Sequence, residues 1–333
     1  ELVNSSTSTR IYEYSLIPYG DYYMVNYGND FKYFVDKDYN KLVFNEVNED
    51  NKHIFVDYLR YEVKKNDTDR YYDTDFLLNT SKDNLNVDNL SFDINGEYLS
   101  VYYPDFDITS NIPLKYIKQC LDMDFGYGNE KYVKPIYLDD KHPIIALTFD
   151  DGPYFSIDEE DFLSDLIVEY LYTYDVTATF FVTGRSLNDR YNVSDAKAYM
   201  FFKRSLEHGN EYGSYTPNRY VLTYCERDEI VDEINGPIKY LKKFLDYDVK
   251  MYRPVAGEFN DEVLSLQPVP AILWNVDSHD WELNDPNDIY RTILNSDVDE
   301  GDVLLFHDIY FETLDAIKLV IPDLIEKGFQ IVN

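Results

Sequence analysis

From about residue 141 onward, short apolar runs of strand length alternate with longer stretches in which apolar positions have helical spacing. The predicted strands cover residues 144–148, 178–182, 251–253, 271–276, 302–305 and 330–332. The predicted helices cover residues 159–172, 196–208, 227–245, 286–295 and 313–327. Regular alternation of strands and helices is typical of a parallel sheet. It predicts an α/β domain over residues 141–333, a barrel or distorted barrel with functional groups at the carboxyl ends of its strands.

Residues 1–140 have a different pattern, in which short runs rich in Tyr, Phe and Val alternate with Asn and Asp clusters. The pattern predicts strands at residues 31–35, 41–44, 54–59 and 96–103, and a short helix at residues 114–121. We interpret this half as a smaller α+β accessory domain without a catalytic constellation. Its many tyrosines are more typical of sheet faces than of a sugar-binding strip.

Composition narrows the classes of partner. The chain has 333 residues, enough for two domains, and a formal net charge of -33. Such a surface repels phosphate backbones, which argues against nucleic-acid binding, but it tolerates a neutral glycan or a polymer that carries free amines. No apolar run is long enough to span a membrane, and no signal peptide is recognisable. The polar segment 4–9 resembles a tether left after removal of an anchor or leader.

The two cysteines, Cys120 and Cys225, lie in different predicted domains. Two free thiols and one cross-link are both compatible with the sequence, which therefore does not report the redox compartment.

The segment with the most chemical content is Thr148-Phe149-Asp150-Asp151-Gly152-Pro153, which directly follows the apolar run 143–147. The apolar run predicts a buried strand, and Gly-Pro ends it in a turn. Asp150 and Asp151 therefore lie at the carboxyl end of a strand, where α/β folds bind ligands. A solvated turn in an Asp-rich chain is the alternative interpretation.

Four further clusters lie in the same half. They are the segments Arg253-Pro254-Val255-Ala256-Gly257, Trp274-Asn275-Val276-Asp277-Ser278-His279-Asp280-Trp281, Leu304-Leu305-Phe306-His307-Asp308, and residues 207–217 with Gly209-Asn210-Glu211-Tyr212-Gly213-Ser214-Tyr215. Together with the Asp-Asp segment, and in their order along the chain, they resemble the motifs of the polysaccharide deacetylase family, the NodB-like carbohydrate esterases. The resemblance covers about residues 141–333 and implies a distorted (β/α) barrel.

The resemblance also implies roles in amide hydrolysis. Asp150 matches the general base that takes a proton from the attacking water, and Arg253 the residue that pairs with it and orients it. His307 matches the general acid that protonates the departing amine, and Asp277 the residue that tunes it. Asp151 matches the one carboxylate ligand of the catalytic metal. This assignment is chemically sensible, because amide hydrolysis needs a nucleophilic water, an oxyanion sink and a proton for nitrogen.

By the same resemblance, Trp281 and Leu305 line the pocket for the acetamido group. The backbone N–H of Ala256 is a candidate oxyanion donor, and Tyr215 is a candidate substrate contact. The family usually has a proline and an aromatic residue where this chain has Val255 and Ala256, so the aromatic wall of the sugar site is reduced here.

The largest departure concerns the metal. The family's second motif has two histidines four residues apart, and this chain aligns Tyr215 and Arg219 with them. Asp151 is then the only surviving family ligand, since arginine stays protonated and cannot ligate. His279 is a minor candidate for a substitute ligand, whereas His208 comes too early and is expected at the surface end of a helix.

Arg219 suggests a specific hypothesis: its guanidinium replaces the charge of the metal ion and neutralises Asp151. The alternative is that Arg219 points to solvent from a loop. Under the hypothesis no metal is tightly bound, and Zn²⁺ or another divalent cation binds only if the site still functions.

Three functions remain open at this point. The first is a metal-dependent deacetylase of N-acetylglucosamine polymers such as peptidoglycan or chitin-like chains. The second is a pseudoenzyme that keeps the groove as a glycan-binding or scaffolding module. The third is a slower hydrolase in which Arg219 is the electrophilic group, because arginine stabilises an oxyanion but does not acidify water as zinc does. The glycan substrate places the protein outside the cell or at the cell envelope in all three.

Overall fold

The computed structural model describes residues 14–19, 22–27, 31–35, 37–38, 51–86, 89–95, 97–117, 130–155, 162–188, 194–216 and 218–333. Contacts group the chain into two compact units. Unit 1 comprises Glu1–Val63 and Thr80–Pro135, and unit 2 comprises Lys64–Asn79 and Ile136–Asn333. The predicted strand at residues 41–44 and Cys120 lie outside the described residues.

The secondary structure falls into two stretches of the chain. Up to residue 117 the elements are β1 (Tyr14–Tyr19), β2 (Tyr22–Tyr27), β3 (Phe31–Val35), α1 (Lys52–Asn66), α2 (Thr68–Tyr71), α3 (Thr74–Asn79), β4 (Ser91–Asn95), β5 (Tyr98–Tyr103), β6 (Ile108–Pro113) and α4 (Leu114–Ile117). From residue 144 they are β7 (Ile144–Asp150), α5 (Leu163–Thr173), β8 (Thr179–Val182), α6 (Gly184–Asn188), α7 (Asp195–Glu207), β9 (Glu211–Ser214), α8 (Arg227–Leu245), α9 (Asp261–Leu266), β10 (Val276–Asp277), α10 (Pro286–Asn295), β11 (Val303–His307), α11 (Phe311–Glu326) and β12 (Gln330–Val332).

Unit 1 contains two antiparallel three-stranded sheets, β1-β2-β3 and β4-β5-β6. The first turns of its longest helix, α1, pack against the second sheet, where the Tyr103 hydroxyl donates to the Phe55 carbonyl at 2.8 Å. The strand predicted at residues 54–59 is wrong, because these residues lie in α1. Phe55, Leu59 and Val63 are fully buried at four-residue spacing, which is helical spacing. The aromatic and β-branched residues of this segment suggested a strand, but its buried positions recur at helical spacing.

Unit 2 is built on a six-stranded parallel sheet with the order β10-β11-β7-β8-β9, and β12 pairs with β7. The parallel sheet predicted from the strand–helix alternation is therefore confirmed. Two single bridges extend the series, from Ser214 to Tyr252 and from Tyr252 to Ala271. Residues 251–253 and 271–276 thus pair less than predicted, while the strand β9 was not predicted because it is short and interrupted by Gly213.

The register of this sheet determines which side chains face each of its two sides. Phe306, Phe149, Phe180 and Tyr212 lie side by side on β11, β7, β8 and β9. All four are buried, and Phe149 stacks on Phe180 with ring centroids 5.0 Å apart. Because side chains alternate along a strand, the residues that follow these aromatics face the opposite side of the sheet.

On that opposite side, His307 and Asp150 are register partners at the carboxyl ends of β11 and β7. Phe181 is the next partner on β8, and Gly213 follows on β9. A Cβ atom at Gly213 would lie 2.5 Å from the Phe181 ring, so glycine leaves room for this ring beneath the site.

The domain boundary and the possibility of a membrane-spanning helix can also be compared with the structure. The predicted division at residue 140 remains a prediction, since the contact-based units assign residues 64–79 to unit 2. Among the residues described, no helix has the length and apolar character needed to cross a membrane.

Candidate active site

The best-packed part of the candidate site is the ion pair between Asp150 and Arg253. The Arg253 Nη1 donates to Asp150 Oδ1 at 2.8 Å, and both side chains are buried. Burial raises the pKa of Asp150 to about 6, although Arg253 and His307 act in the opposite direction. Asp150 therefore changes charge in a range where a carboxylate can take up a proton at mild pH.

Arg253 is held from every side. Its Nη1 also donates to Thr148 Oγ1, and its Nε and Nη2 donate to the carbonyls of Ile272 and Leu273. The guanidinium carbon lies 4.1 Å from the centroid of the Phe181 ring, which gives a cation–π contact. These contacts fix the plane of the guanidinium and hence the orientation of the carboxylate that it bonds.

His307 is held by a carboxylate of its own, that of Asp280. The His307 Nδ1 lies 2.7 Å from Asp280 Oδ1, and the His307 backbone N–H donates to Asp280 Oδ2 at 2.7 Å. Thr313 donates to the same Oδ2 at 2.6 Å. The predicted pairing of Asp277 with His307 is therefore wrong, since Asp277 instead accepts a hydrogen bond from the His279 backbone N–H.

The physical reason for this correction is the shape of the loop after β10. Asp277 caps the turn that begins there, and His279 has a left-handed φ of 55°. The turn carries Asp280, three residues later, to His307. A spacing rule for an Asp-Ser-His-Asp segment does not reveal which of its two carboxylates completes the turn and which faces the next strand.

The charge state of His307 follows from these contacts. Burial alone would lower its pKa, but the hydrogen bond and charge of Asp280, together with the charges of Asp150 and Asp151, raise the pKa of His307 to about 9. The imidazole is therefore protonated at neutral pH and can supply a proton.

Asp151 lies in the turn after β7 with a φ of 77°. Arg219 approaches it, with Nη2 at 2.7 Å from Asp151 Oδ2. This is an ion pair without hydrogen-bond alignment, since neither Asp151 oxygen accepts a hydrogen bond from the described residues. Burial raises the pKa of Asp151, while Arg219 and His307 lower it and Asp280 raises it.

The backbone around Asp151 is fixed by hydrogen bonds from Thr183 and from Ser186 in the adjoining helix α6. Ser186 Oγ donates to the Asp151 carbonyl at 2.8 Å, and the Thr183 N–H donates to the Gly152 carbonyl at 3.1 Å. On the other side, the Asp308 carboxyl packs against Gly152, where a Cβ atom would lie 2.1 Å from both carboxyl oxygens. The turn thus holds Asp151 in place whatever its side chain contacts.

Tyr215 is buried next to this turn, packed with Phe181 and Val255. Burial and the charges of Asp150 and Asp151 raise the pKa of its phenol, while Arg219 and a hydrogen bond from the Ala256 backbone N–H lower it. The Ala256 N–H predicted as an oxyanion donor thus lies beside the Tyr215 phenol.

The remaining predicted residues lie around the same edge. Leu305 is buried in β11, on the side of the sheet that His307 faces. Trp281 directly follows Asp280, and half of its surface is exposed. His279 pairs with Glu282, with Nδ1 at 3.0 Å from Oε1, rather than with the carboxylates of the site. His208 was expected at the surface but is buried, stacked on Tyr172.

Sequence reasoning missed four residues at this edge, which are Thr148, Asp280, Asp308 and Tyr310. Three of them were within quoted motifs but received no role. Burial raises the pKa of Asp308 to about 7, and Ser164 Oγ donates to it at 2.5 Å. The only available signal was their position one to three residues from a residue with an assigned role.

With this geometry established, comparison with known proteins places the fold. Residues 138–268 match the model of the polysaccharide deacetylase family. The chain is 32% identical over 197 residues to the peptidoglycan-N-acetylmuramic acid deacetylase PdaC of Bacillus subtilis. The aligned region covers 59% of this chain and 39% of PdaC. It is 29% identical over 189 residues to the peptidoglycan-N-acetylglucosamine deacetylase PgdA of Listeria monocytogenes. This aligned region covers 57% of the present chain and 37% of PgdA.

A solved structure of Bacillus subtilis PdaC aligns with a TM-score of 0.51 and 30% identity, over 59% of this chain and 89% of that structure. The chain thus carries a domain of the polysaccharide deacetylase family, the NodB-like carbohydrate esterases. The match spans about two fifths of the length of PdaC and of PgdA.

Deacetylases of this family are generally metal-dependent, so the fit of a metal can be tested on the residues present. Within the described ranges, no group of three or more His, Cys, Asp or Glu side chains could hold a metal ion. A metal bound to Asp151 would lie about 2.0–2.2 Å from its oxygen, but a guanidinium nitrogen already lies 2.7 Å away. The donor set at Asp151 does not fit a divalent cation.

Proposed function

We propose that this domain acts on N-acetylated cell-wall glycan, peptidoglycan or a chitin-like chain, and hydrolyses its acetamido groups. One observation carries the proposal. Asp150 and His307 are register partners at the carboxyl ends of neighbouring strands, and each is fixed by its own buried partner, Arg253 or Asp280. A base and an acid held side by side meet the proton requirements of amide hydrolysis.

The chemistry would proceed in two proton transfers. Asp150 takes a proton from a water molecule while the water oxygen bonds to the acetamido carbonyl carbon. The C–N bond then breaks as His307 gives its proton to the departing nitrogen, which leaves acetate and a free amine on the sugar. Both groups have the required charge between about pH 6 and pH 9, because Asp150 is ionised above the lower pKa and His307 is protonated below the upper one.

Arg219 is the second part of the proposal. We align Tyr215 and Arg219 with the two metal-binding histidines of the family, and the Arg219–Asp151 ion pair supports this alignment. The guanidinium then compensates the buried Asp151 charge from within the chain, and the protein binds no divalent cation tightly. In this role Arg219 is also the electrophilic group that stabilises the oxyanion, and Trp281 and Leu305 line the pocket for the acetyl group.

A second candidate function is glycan binding without turnover. The same ion pair favours it, because an arginine does not lower the pKa of water as a bound metal does. The groove would then hold the glycan, and the protein would serve as a binding or scaffolding module. In both cases the proposed partner is a neutral or amine-bearing glycan, and the proposed location is the cell envelope or the outside of the cell.

Acetate release from chitotetraose and from purified peptidoglycan tests the proposal. We expect slow release that is lost in Asp150→Asn and unchanged by EDTA. The matched control is Asp315→Asn, an exposed carboxylate on α11 that pairs with Lys318 and should leave the rate unchanged. Binding of either glycan without acetate release would favour the second candidate. Absence of both binding and release would contradict both.

A further inference from the structure

One aromatic side chain at the site has no role so far. Tyr310 lies three residues after His307, at the N-terminal cap of α11. Its ring centroid is 6.0 Å from that of the His307 imidazole, and the two rings meet at 64°. Tyr310 therefore lies beside the proposed general acid rather than along the outside of the sheet.

The backbone at this position is firmly placed. The Tyr310 carbonyl accepts a hydrogen bond from the Thr313 N–H at 3.1 Å, and the Thr313 hydroxyl bonds Asp280, the partner of His307. The side chain of Tyr310 thus starts from a turn that is tied to the catalytic pair. It does not depend on a loose loop for its position.

The surroundings of the phenol identify the space that it faces. Burial raises the pKa of the Tyr310 phenol, and the next contributions come from Asp151, Arg219 and Asp280. The charges of Asp151 and Arg219 act on the phenol, so it lies near the ion pair that these two residues form. The side chain is only half-buried, and no hydrogen bond engages its hydroxyl within the described part of the chain.

A half-exposed ring with a hydroxyl available for bonding is suited to contact a sugar, because its face packs against apolar C–H groups and its hydroxyl exchanges a hydrogen bond. Val255 and Ala256 carry no aromatic ring, so they provide no such wall for the proposed sugar pocket. We propose that Tyr310 is this wall, a specificity-determining residue that packs against the bound sugar beside His307 and hydrogen-bonds one of its oxygens. The inference rests on the proposed function, namely that the site holds an N-acetylated glycan.

The test is the dissociation constant of chitotetraose, measured by titration calorimetry at pH 7 with the full chain. Tyr310→Phe removes the hydroxyl and should weaken binding by about three- to tenfold, the cost of one hydrogen bond. Tyr310→Leu also removes the ring and should weaken binding at least about tenfold. The graded order, with phenylalanine between tyrosine and leucine, is the signature of a ligand contact.

Tyr290→Phe is the matched control, because Tyr290 is similarly half-buried but lies on α10, and its Kd should stay at the wild-type value. The melting temperatures of all variants should agree within about 2 °C, since Tyr310 is not in the core. If acetate is released, KM should rise in Tyr310→Phe while kcat is retained.

Wild-type Kd values in both Tyr310 variants would overturn the inference and leave the proposed function standing. Binding without acetate release would remove the proposed hydrolysis, while the inference would still stand or fall on the Kd values. If the wild-type chain bound neither chitotetraose nor purified peptidoglycan, both the inference and the proposed function would be overturned.

Discussion

Two neighbouring carboxylates, Asp150 and Asp151, are each paired with an arginine, yet the two pairs are embedded very differently. Arg253 beside Asp150 has a fully buried side chain and donates to two carbonyls, a hydroxyl and the carboxylate. Arg219 beside Asp151 has a half-exposed side chain and a single ion-pair contact. Two ion pairs of equal charge therefore differ in how firmly they are built into the fold. The first pair is part of the core, and the second is attached to it.

The largest effect should come from breaking the first pair. Arg253→Met leaves the Asp150 carboxylate buried without a cation and removes the donors that bond Ile272 and Leu273. We expect a loss of about 3–5 kcal/mol in the free energy of unfolding at pH 8, measured by urea denaturation. A smaller loss at pH 5 is expected, because protonation of Asp150 removes the unpaired charge. If Arg253→Met lowered the free energy of unfolding by less than Arg219→Met, the Asp150–Arg253 pair would not be the more deeply embedded of the two.

The next effect concerns His307, whose partner was not the predicted one. Asp280→Asn removes the charge that raises its pKa, so the imidazole should titrate at least about one pH unit lower, as measured by NMR. Asp277→Asn is the matched control and should not move it, since Asp277 bonds the His279 backbone instead. Equal shifts in the two variants would restore the original pairing.

The same pair makes stability depend on pH. In the folded chain the pKa of His307 is about 9, above its ordinary value of 6.5, so its contribution is fully present below pH 6.5 and is lost as pH rises through 9. The difference in unfolding free energy between wild type and Asp280→Asn should therefore be about 2 kcal/mol at pH 6 and smaller at pH 10. A difference that grows with pH would contradict this.

A smaller effect is expected for the exposed pair. Arg219→Met should cost on the order of 1 kcal/mol at pH 8, because solvent already screens half of the guanidinium while Asp151 stays buried. Urea denaturation measures this loss. Arg227→Met is the matched control, because Arg227 is an exposed arginine that pairs with Glu262 at 3.7 Å, so it gives the cost of losing a surface ion pair. Equal values for the two variants would mean that Arg219 is an ordinary surface residue.

The smallest effect should follow metal removal. With Arg219 beside Asp151, EDTA should leave the melting temperature unchanged, and zinc should not be retained after desalting. Metal analysis of the desalted wild-type chain measures this directly. Near-stoichiometric zinc would contradict the assignment of Arg219 to the position of the cation.

The sequence predicted much of this arrangement, with limits that have physical causes. Helix α8 lies over the residues predicted for it, because a long amphipathic period is a strong local signal. The Asp-Asp turn was placed at a strand end because an apolar run precedes it and Gly-Pro follows it. The strand β9 and the role of Asp280 were missed, because both depend on neighbouring strands and on the course of a turn, which local patterns do not encode. Residues 54–59 were misread because their composition favoured a strand over too short a window.

The row of four aromatics across β11, β7, β8 and β9 has a consequence for how this sheet tolerates error. Their positions and those of the chemical residues alternate, so a shift of a single residue in β7 would bring Phe149 to the side of His307 and send Asp150 into the hydrophobic face. The shift would be unfavourable for two reasons, because it would place a ring among charged groups and a carboxylate in apolar surroundings. The row of buried aromatics therefore helps to fix the strand register that brings Asp150 beside His307 on the opposite face. It leaves the loops, where Arg219 and Tyr310 lie, as the places in which this site can change without misaligning the sheet.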